Sequence, residues 1–364
     1  MNKQPEQAEF GHAKPAGEPL AGTETSPILL VPYMWIGDFV RCHTVVRLLK
    51  TRWPHREIDV LTTSLCAPLV DYMPGVRAGI IADLPRKRLA LKEQFALANR
   101  LRERQYGTAL VMPRTWKSAL APYLAEIPER IGFFGEGRLL VLNDLRKGER
   151  KLPRMIDRCG ALALPKDSRP PAQWPPPQLI VPEAESARWR ERNGLDDGRP
   201  AVALAPGAVG ASKRWPAASY GAVARDLTAR GFAVWVLGSA NESSLATEIV
   251  AQAGPFARDL TSPDLRNAIM ALKTAKMAVS NDSGLVHVAA AIGTPTIGIF
   301  GPTSAWHWAP LNPLAATIET PTDLPCRPCH KPVCRLLHHR CMHYISPDQV
   351  LAAALRALEQ DGHR

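Results

Sequence analysis

Residues 278–302 read AVSNDSGLVHVAAAIGTPTIGIFGP, and no other stretch restricts the possible folds as tightly. An apolar strand ending at Ala278-Val279 runs into a polar turn, Asn281-Asp282-Ser283-Gly284, whose residues suit a tight turn and a helix cap. Leu285 to Ile292 has the composition of a buried helix, stopped by Gly293 with Pro295 beyond it. Thr296 to Phe300 is then an apolar run of strand length. In an open parallel sheet, ligands gather at the carboxyl ends of strands, beside the helix N-termini. Asp282, Ser283, Gly284 and His287 are therefore expected to converge where unpaired helix N–H groups favour an anion. Gly284 is expected to let a phosphate come close to the backbone. A plainer reading fits the same residues: an Asp capping an ordinary turn, and a His on a surface helix.

The same alternation fills the chain on both sides of a proline-rich break. Pro27–Pro32, PILLVP, reads as a first buried strand, followed by Tyr33–Asp38 and a helix to about Arg52. Gly37 makes the tight strand-to-helix turn, and Asp38 stands at the helix start. It is either an N-cap or a carboxylate projecting into a cleft. Further strands are expected at 58–61, 79–82, 108–112 and 131–134, with a short helix over Ala67–Met73. Arg86–Arg104 reads as a basic amphipathic helix with Leu89, Phe95, Leu97 and Leu101 near one face. Arg114 and Lys117 follow the fourth strand and Arg130 precedes the fifth. They are either a cationic pocket for an anionic acceptor or three surface cations. Pro165, Pro170, Pro171, Pro175, Pro176, Pro177 and Pro182 cannot lie in a helix, so 165–182 reads as an extended linker between domains at 27–164 and 183–345. In the second half, Ala201–Ala205 leads into PGAVGASKRWP, a glycine-bearing loop with Lys213 and Arg214 before Pro216. Ala233–Leu237 leads into Gly238–Glu242. An aromatic loop, Thr303–Trp308, follows the opening motif, and a final helix over Pro347–Glu359 is expected to pack back across the domain junction.

Composition narrows the classes. A chain of 364 residues holds two full cores. A net charge of +11 favours anionic partners without choosing among them. No segment reaches the roughly 18 apolar residues of a membrane span. Residues 1–26 are polar and rich in Pro and Gly, without the apolar core of a signal peptide. They read as a disordered lead-in, and the chain is expected in the cytoplasm. No Asp-x-Asp clamp for a divalent metal occurs, and no G-x-G-x-x-G fingerprint of a nicotinamide enzyme. The charge would suit nucleic acid, but no recognition module is present. Cys326-x2-Cys329-x4-Cys334-x6-Cys341 places four thiols together. As four soft ligands they would suit a structural zinc; the alternatives are reduced thiols in a surface loop or, least compatible with a cytoplasmic chain, a disulfide.

D-S-G-L-V-H-V-A-A-A followed by P-T-I-G-I-F-G-P-T resembles the signature of the lipopolysaccharide heptosyltransferases, the ADP-heptose-dependent enzymes of glycosyltransferase family 9. The resemblance covers roughly residues 27–355 and is strongest to the heptosyltransferase II type. It implies an α/β fold of two Rossmann-like domains facing across a cleft (GT-B type). It implies inverting transfer of heptose from ADP-heptose to a heptose- and Kdo-containing inner core carried on lipid A, at the cytoplasmic face of the inner membrane. By the family's G-D motif, Asp38 would be the general base. By its lysine ahead of a W-P pair, Lys213 would meet the diphosphate. Asp282, Ser283, Gly284 and His287 would complete the nucleotide-sugar site, and Glu242 is the nearest match to an acidic residue facing the adenosine. Ala208 and Val209 stand where some relatives carry hydroxyl residues. No cofactor is implied for catalysis. A sugar-nucleotide epimerase on the same fold, transfer at another core position, and a non-catalytic zinc-binding protein of envelope assembly are the competing readings.

Overall fold

The computed structural model describes residues 25–85 and 88–362. Most of the expected lead-in, and the Arg86 start expected for the basic helix, lie outside the described residues. The first half builds a parallel sheet from β1 (Ile28–Val31), β2 (Ile58–Thr62), β3 (Ala78–Ile81), β4 (Thr108–Val111), β5 (Glu129–Phe133) and β6 (Asp144–Arg146), in the order β3-β2-β1-β4-β5-β6. Its helices are α1 (Ile36–Arg41), α2 (His43–Arg52), α3 (Ala67–Val70), α4 (Leu91–Arg102), α5 (Leu120–Leu124) and α6 (Met155–Ala161). The second half repeats the plan with β7 (Ala201–Ala205), β8 (Ala233–Val236), β9 (Ala257–Asp259), β10 (Met277–Asn281), β11 (Thr296–Phe300) and β12 (Ala315–Glu319), in the order β12-β11-β10-β7-β8-β9. Around it lie α7 (Glu183–Arg192), α8 (Ala217–Ala229), α9 (Ser243–Ala253), α10 (Leu265–Thr274), α11 (Gly284–Ile292), α12 (Ala305–Trp308), α13 (Arg340–His343) and α14 (Pro347–Gly362).

The central strands are continuous apolar runs because helices cover both faces of each sheet. Every residue of β1 is at most 2% exposed. In both sheets the strand order reverses between the first and fourth strands of the half. Loops leaving those two strands diverge and open a crevice at the carboxyl edge. The two crevices face each other.

The halves meet on bare backbone. A Cβ on Gly37 would fall 2.5 Å from His287 Cδ2, and one on Gly284 would fall 2.7 Å from Ile36 Cβ. The missing side chains let α1 and α11 approach this closely. The room that Gly284 leaves is thus taken by Ile36, where the sequence suggested a phosphate. The proline-rich segment is strapped down over residues 175–179. Thr44 and Arg47 donate to the carbonyls of Pro175 and Pro176, Gln178 N–H donates to His43 Nδ1, and Leu179 N–H donates to Ala291 O at the end of α11.

Three local expectations change. The helix after Gly37 is two helices, broken at Cys42. In α4 the buried face is Gln94, Leu97, Ala98 and Leu101; Leu89 precedes the helix and Phe95 points outward, 53% exposed. The final helix packs on α8, β10 and β11 rather than across the junction. Its apolar face, Val350, Leu351 and Ala354, joins the core of the second half, where that sheet needs covering.

Candidate active site

A cavity of about 750 Å³ opens between the carboxyl edges of the two sheets. From the first half it is lined by Trp35 to Asp38 and Arg41, and from the second by the β7, β8 and β10 loops, His287, Trp308 and His330–Pro332.

Asp38 sits within the first turn of α1, and the cap position belongs to Trp35, so Asp38 is not the helix cap. Its Oδ1 accepts from Arg41 Nη1 at 2.7 Å, one helical turn on. Burial pushes the Asp38 carboxyl above the usual carboxylate range, and the Arg41 guanidinium pulls against that. Asp282 raises it further and Lys213 lowers it, so charges from both halves reach this carboxylate.

Arg41 is the residue that the sequence reading missed. Only 3% exposed, it spans the junction. Its Nη2 lies 2.8 Å from His287 Nε2 and donates to the Trp308 carbonyl at 2.7 Å, while the guanidinium stands 5.1 Å over the Trp308 ring. Guanidinium only donates, so Nε2 accepts and the His287 proton is on Nδ1. Burial, then Arg41 and Lys213, holds His287 well below the usual imidazole range, so the ring is neutral near pH 7. Its place is the seam between the halves. The i, i+3 spacing of Asp38 and Arg41 on one helix was the signal available for the pair.

On the facing side, Lys213 Nζ pairs with Asp282 Oδ2 at 2.7 Å, and Thr303 Oγ1 donates to the same oxygen at 2.7 Å. Asp282 therefore anchors the lysine and the turn. Ser283 is the N-cap of α11 and makes no side-chain cap bond. It leaves the helix N-terminus facing the cavity. Asn281, expected in the turn, ends β10 instead. Fully buried, it accepts from Trp215 N and Tyr220 Oη and donates to Pro206 O, which fixes the β7 loop against β10. Glu242 accepts from Ser239 N and Oγ and lies over the backbone of Gly207, joining the β7 and β8 loops. The Trp308 indole N–H is buried in the cavity wall without a partner among the described residues.

The three basic candidates of the first half do not line this cavity. Arg114 Nε lies 2.9 Å from Glu149 Oε2. Lys117 donates to the carbonyls of Pro85 and Arg88, and Arg130 to those of Val141 and Ile127. The cysteine loop lies beside the cavity. Cys329 and His330 N–H groups donate to Pro302 O, and Ser212, next to Lys213, bonds the backbone of Lys331 and Pro332. Cys326, Cys329, Cys334 and Cys341 are free thiols, and no group of three or more His, Cys, Asp or Glu among the described residues could hold a metal ion. Cys341 is buried against the core of the second half with Cys326 packed beside it, and burial, then the nearby thiols of Cys329, Cys326 and Cys334, push its thiol up.

Known proteins share this fold. The family described as "Glycosyltransferase family 9 (heptosyltransferase)" matches residues 94–339. Lipopolysaccharide heptosyltransferase 2 of Salmonella typhimurium is 34% identical over 92% of this chain and 99% of its own. Lipooligosaccharide heptosyltransferase 2 of Haemophilus influenzae is 37% identical over 80% of this chain and 88% of its own. The structure of Escherichia coli ADP-heptose lps heptosyltransferase II superposes with a TM-score of 0.81 at 32% identity, covering 92% of this chain and 99% of that one. The likeness runs through both sheets and the cleft between them, and the chain belongs to glycosyltransferase family 9, the heptosyltransferases.

Proposed function

We propose that this chain moves heptose from ADP-heptose to a hydroxyl of a heptose- and Kdo-containing lipopolysaccharide inner core, as a heptosyltransferase of the second type, with Asp38 as general base. The observation that carries the reading is the meeting, across one cavity, of a buried carboxylate from the first half with a lysine and a helix N-terminus from the second. The acceptor hydroxyl gives its proton to Asp38 as its oxygen attacks the anomeric carbon. The bond from that carbon to the phosphate oxygen breaks, and ADP departs with the electron pair. Attack opposite the leaving group inverts the anomeric centre. Burial strengthens Asp38 as a base, and Arg41 keeps it ionised enough to act. Charge develops on the departing diphosphate where Lys213 and the α11 N–H groups stand ready, as transition-state stabilisation requires. Lys213 exchanges Asp282 for phosphate as the donor enters. Glu242, holding the β7 and β8 loops together, shapes the adenosine end, and the Trp308 N–H offers a donor to the sugar. Arg114, Lys117 and Arg130 stand on the acceptor side, Arg114 being the more exposed cation there. The chain works without a metal clamp at the cytoplasmic membrane face.

The test is incubation with ADP-heptose and Kdo-lipid acceptors carrying no, one or two heptoses, read by mass spectrometry. The proposal expects one added heptose on the singly heptosylated acceptor alone. Addition to the heptose-free acceptor would make the enzyme one of another core position. Consumption of ADP-heptose without acceptor would refute transfer.

A further inference from the structure

In a parallel sheet all carboxyl ends share one edge, so the loops after β3, β4, β5 and β6 lie along the same rim as Asp38. They are one continuous surface. Lys117, after β4, donates to Arg88 O in the loop after β3 at 2.8 Å. Trp116 N, also after β4, donates to Glu136 in the loop after β5 at 2.9 Å, and Arg114 reaches Glu149 after β6. This rim carries six large apolar side chains in water. Leu89 is 40% exposed, Leu91 51%, Phe95 53%, Phe134 52%, Leu139 65% and Leu140 82%. Soluble surfaces rarely gather so much apolar area without a partner.

Cations flank it. Arg88, Lys92, Lys147, Arg150 and Lys151 are all exposed. The acidic groups nearby are engaged: Glu93 with Arg88, Glu136 with Trp116 N, and Glu149 with Arg114. With Arg88 balanced by Glu93, the surplus cations are Lys92, Lys147, Arg150 and Lys151, and apolar side chains beside them match an interface that is apolar below and anionic above, the profile of an anionic bilayer. A protein partner of mixed charge would leave those cations unpaired.

We propose that this rim docks the enzyme on an anionic lipid bilayer, with Leu139 and Leu140 entering the headgroup layer and Lys147, Arg150 and Lys151 meeting lipid phosphates. It rests on the reading of a lipid-borne acceptor. Docking here sets the mouth of the cleft, on the Asp38 edge, against the surface that presents the acceptor.

The experiment uses the full chain with phosphatidylcholine vesicles, with and without about one third phosphatidylglycerol. Co-sedimentation is expected with the anionic vesicles and to fall at high salt. Leu139→Ser/Leu140→Ser and, separately, Lys147→Glu/Arg150→Glu/Lys151→Glu should each weaken it by about tenfold or more at unchanged Tm. Both variants should retain wild-type kcat/KM on a deacylated, water-soluble acceptor and lose activity on acceptor embedded in vesicles. Vesicle binding by wild type that neither variant disturbs would overturn the assignment. So would a protein dimer that the Leu139→Ser/Leu140→Ser variant dissolves, since a second copy would then be the occupant. Wild type that binds vesicles but transfers to neither acceptor would refute the functional reading and leave the docking surface standing.

Discussion

Replacing Arg41 by Met removes the one guanidinium that touches the base, the seam histidine and the Trp308 carbonyl together. Methionine keeps much of the length and the apolar stem, so packing changes little. The lost bond to Asp38 is charge-assisted at 2.7 Å, a class worth about 1.5–3 kcal/mol. The Asp38 carboxyl is already raised by burial, and Arg41 is the first influence opposing that. A base works deprotonated, so kcat/KM falls as pH drops through its pKa. Without Arg41 that acid limb should move up by about one pH unit or more, since about 1.4 kcal/mol corresponds to one unit. Stability should fall by about 3 kcal/mol, the low end for breaking a buried pair, because Asp38 keeps 18% of its side-chain exposure. Arg41→Lys keeps the charge and loses the fork, so its limb should lie nearer wild type while the His287 and Trp308 contacts weaken. The assay is a pH profile of kcat/KM on the soluble acceptor, beside thermal unfolding. An Arg41→Met enzyme with an unmoved acid limb would refute the claim that Arg41 sets the proton affinity of the base.

Lys213→Ala should weaken ADP binding by about 1.5–3 kcal/mol in calorimetry, the range for one charge-assisted bond to phosphate; unchanged affinity would remove the diphosphate from this loop. His43 is buried between Pro74 O and Gln178 N, and burial pushes its pKa down to about 4. Its stabilisation is complete above the unfolded value near 6.5 and is lost as pH falls toward the folded one, by about 3 kcal/mol in all. His43→Gln should flatten that part of the stability profile, and an unflattened profile would place the titration elsewhere. Native thiol titration should find three readily reached cysteines, Cys326, Cys329 and Cys334, with Cys42, Cys66, Cys159 and Cys341 slow. Cys334 should lead, since the backbone N–H groups of His339, Leu336, His338 and Leu337 lower its pKa. Protected thiols together with stoichiometric zinc in elemental analysis would mean that this loop holds metal.

What the sequence made legible follows how buried each element is. PILLVP and PTIGIF are strands in any environment because both faces are covered. The missed strands are β6, β9 and β12. Each lies at a sheet edge, is short or half-exposed, and carries polar residues, so no apolar run marks it. The site divides in the same way. Asp38, Lys213 and Asp282 announce themselves by turn chemistry next to strands. Arg41 does not, because its role exists only once α11 is brought against α1, and that contact depends on two absent Cβ atoms 247 positions apart (Gly37 and Gly284). The partner of Lys213 was also invisible: an aspartate read as a turn residue proves to be the counter-charge that holds the lysine in the cavity.

The central claim is that Asp38 takes the acceptor proton, and Asp38→Asn tests it most directly. Asparagine keeps the shape and can still accept from Arg41, so the fold and the seam should survive. Turnover on the singly heptosylated acceptor should fall by about 10²-fold or more, while ADP-heptose affinity, measured by calorimetry on the same preparation, stays close to wild type. Near-normal turnover per folded molecule in Asp38→Asn would contradict the account and leave Asp38 as a structural partner of Arg41.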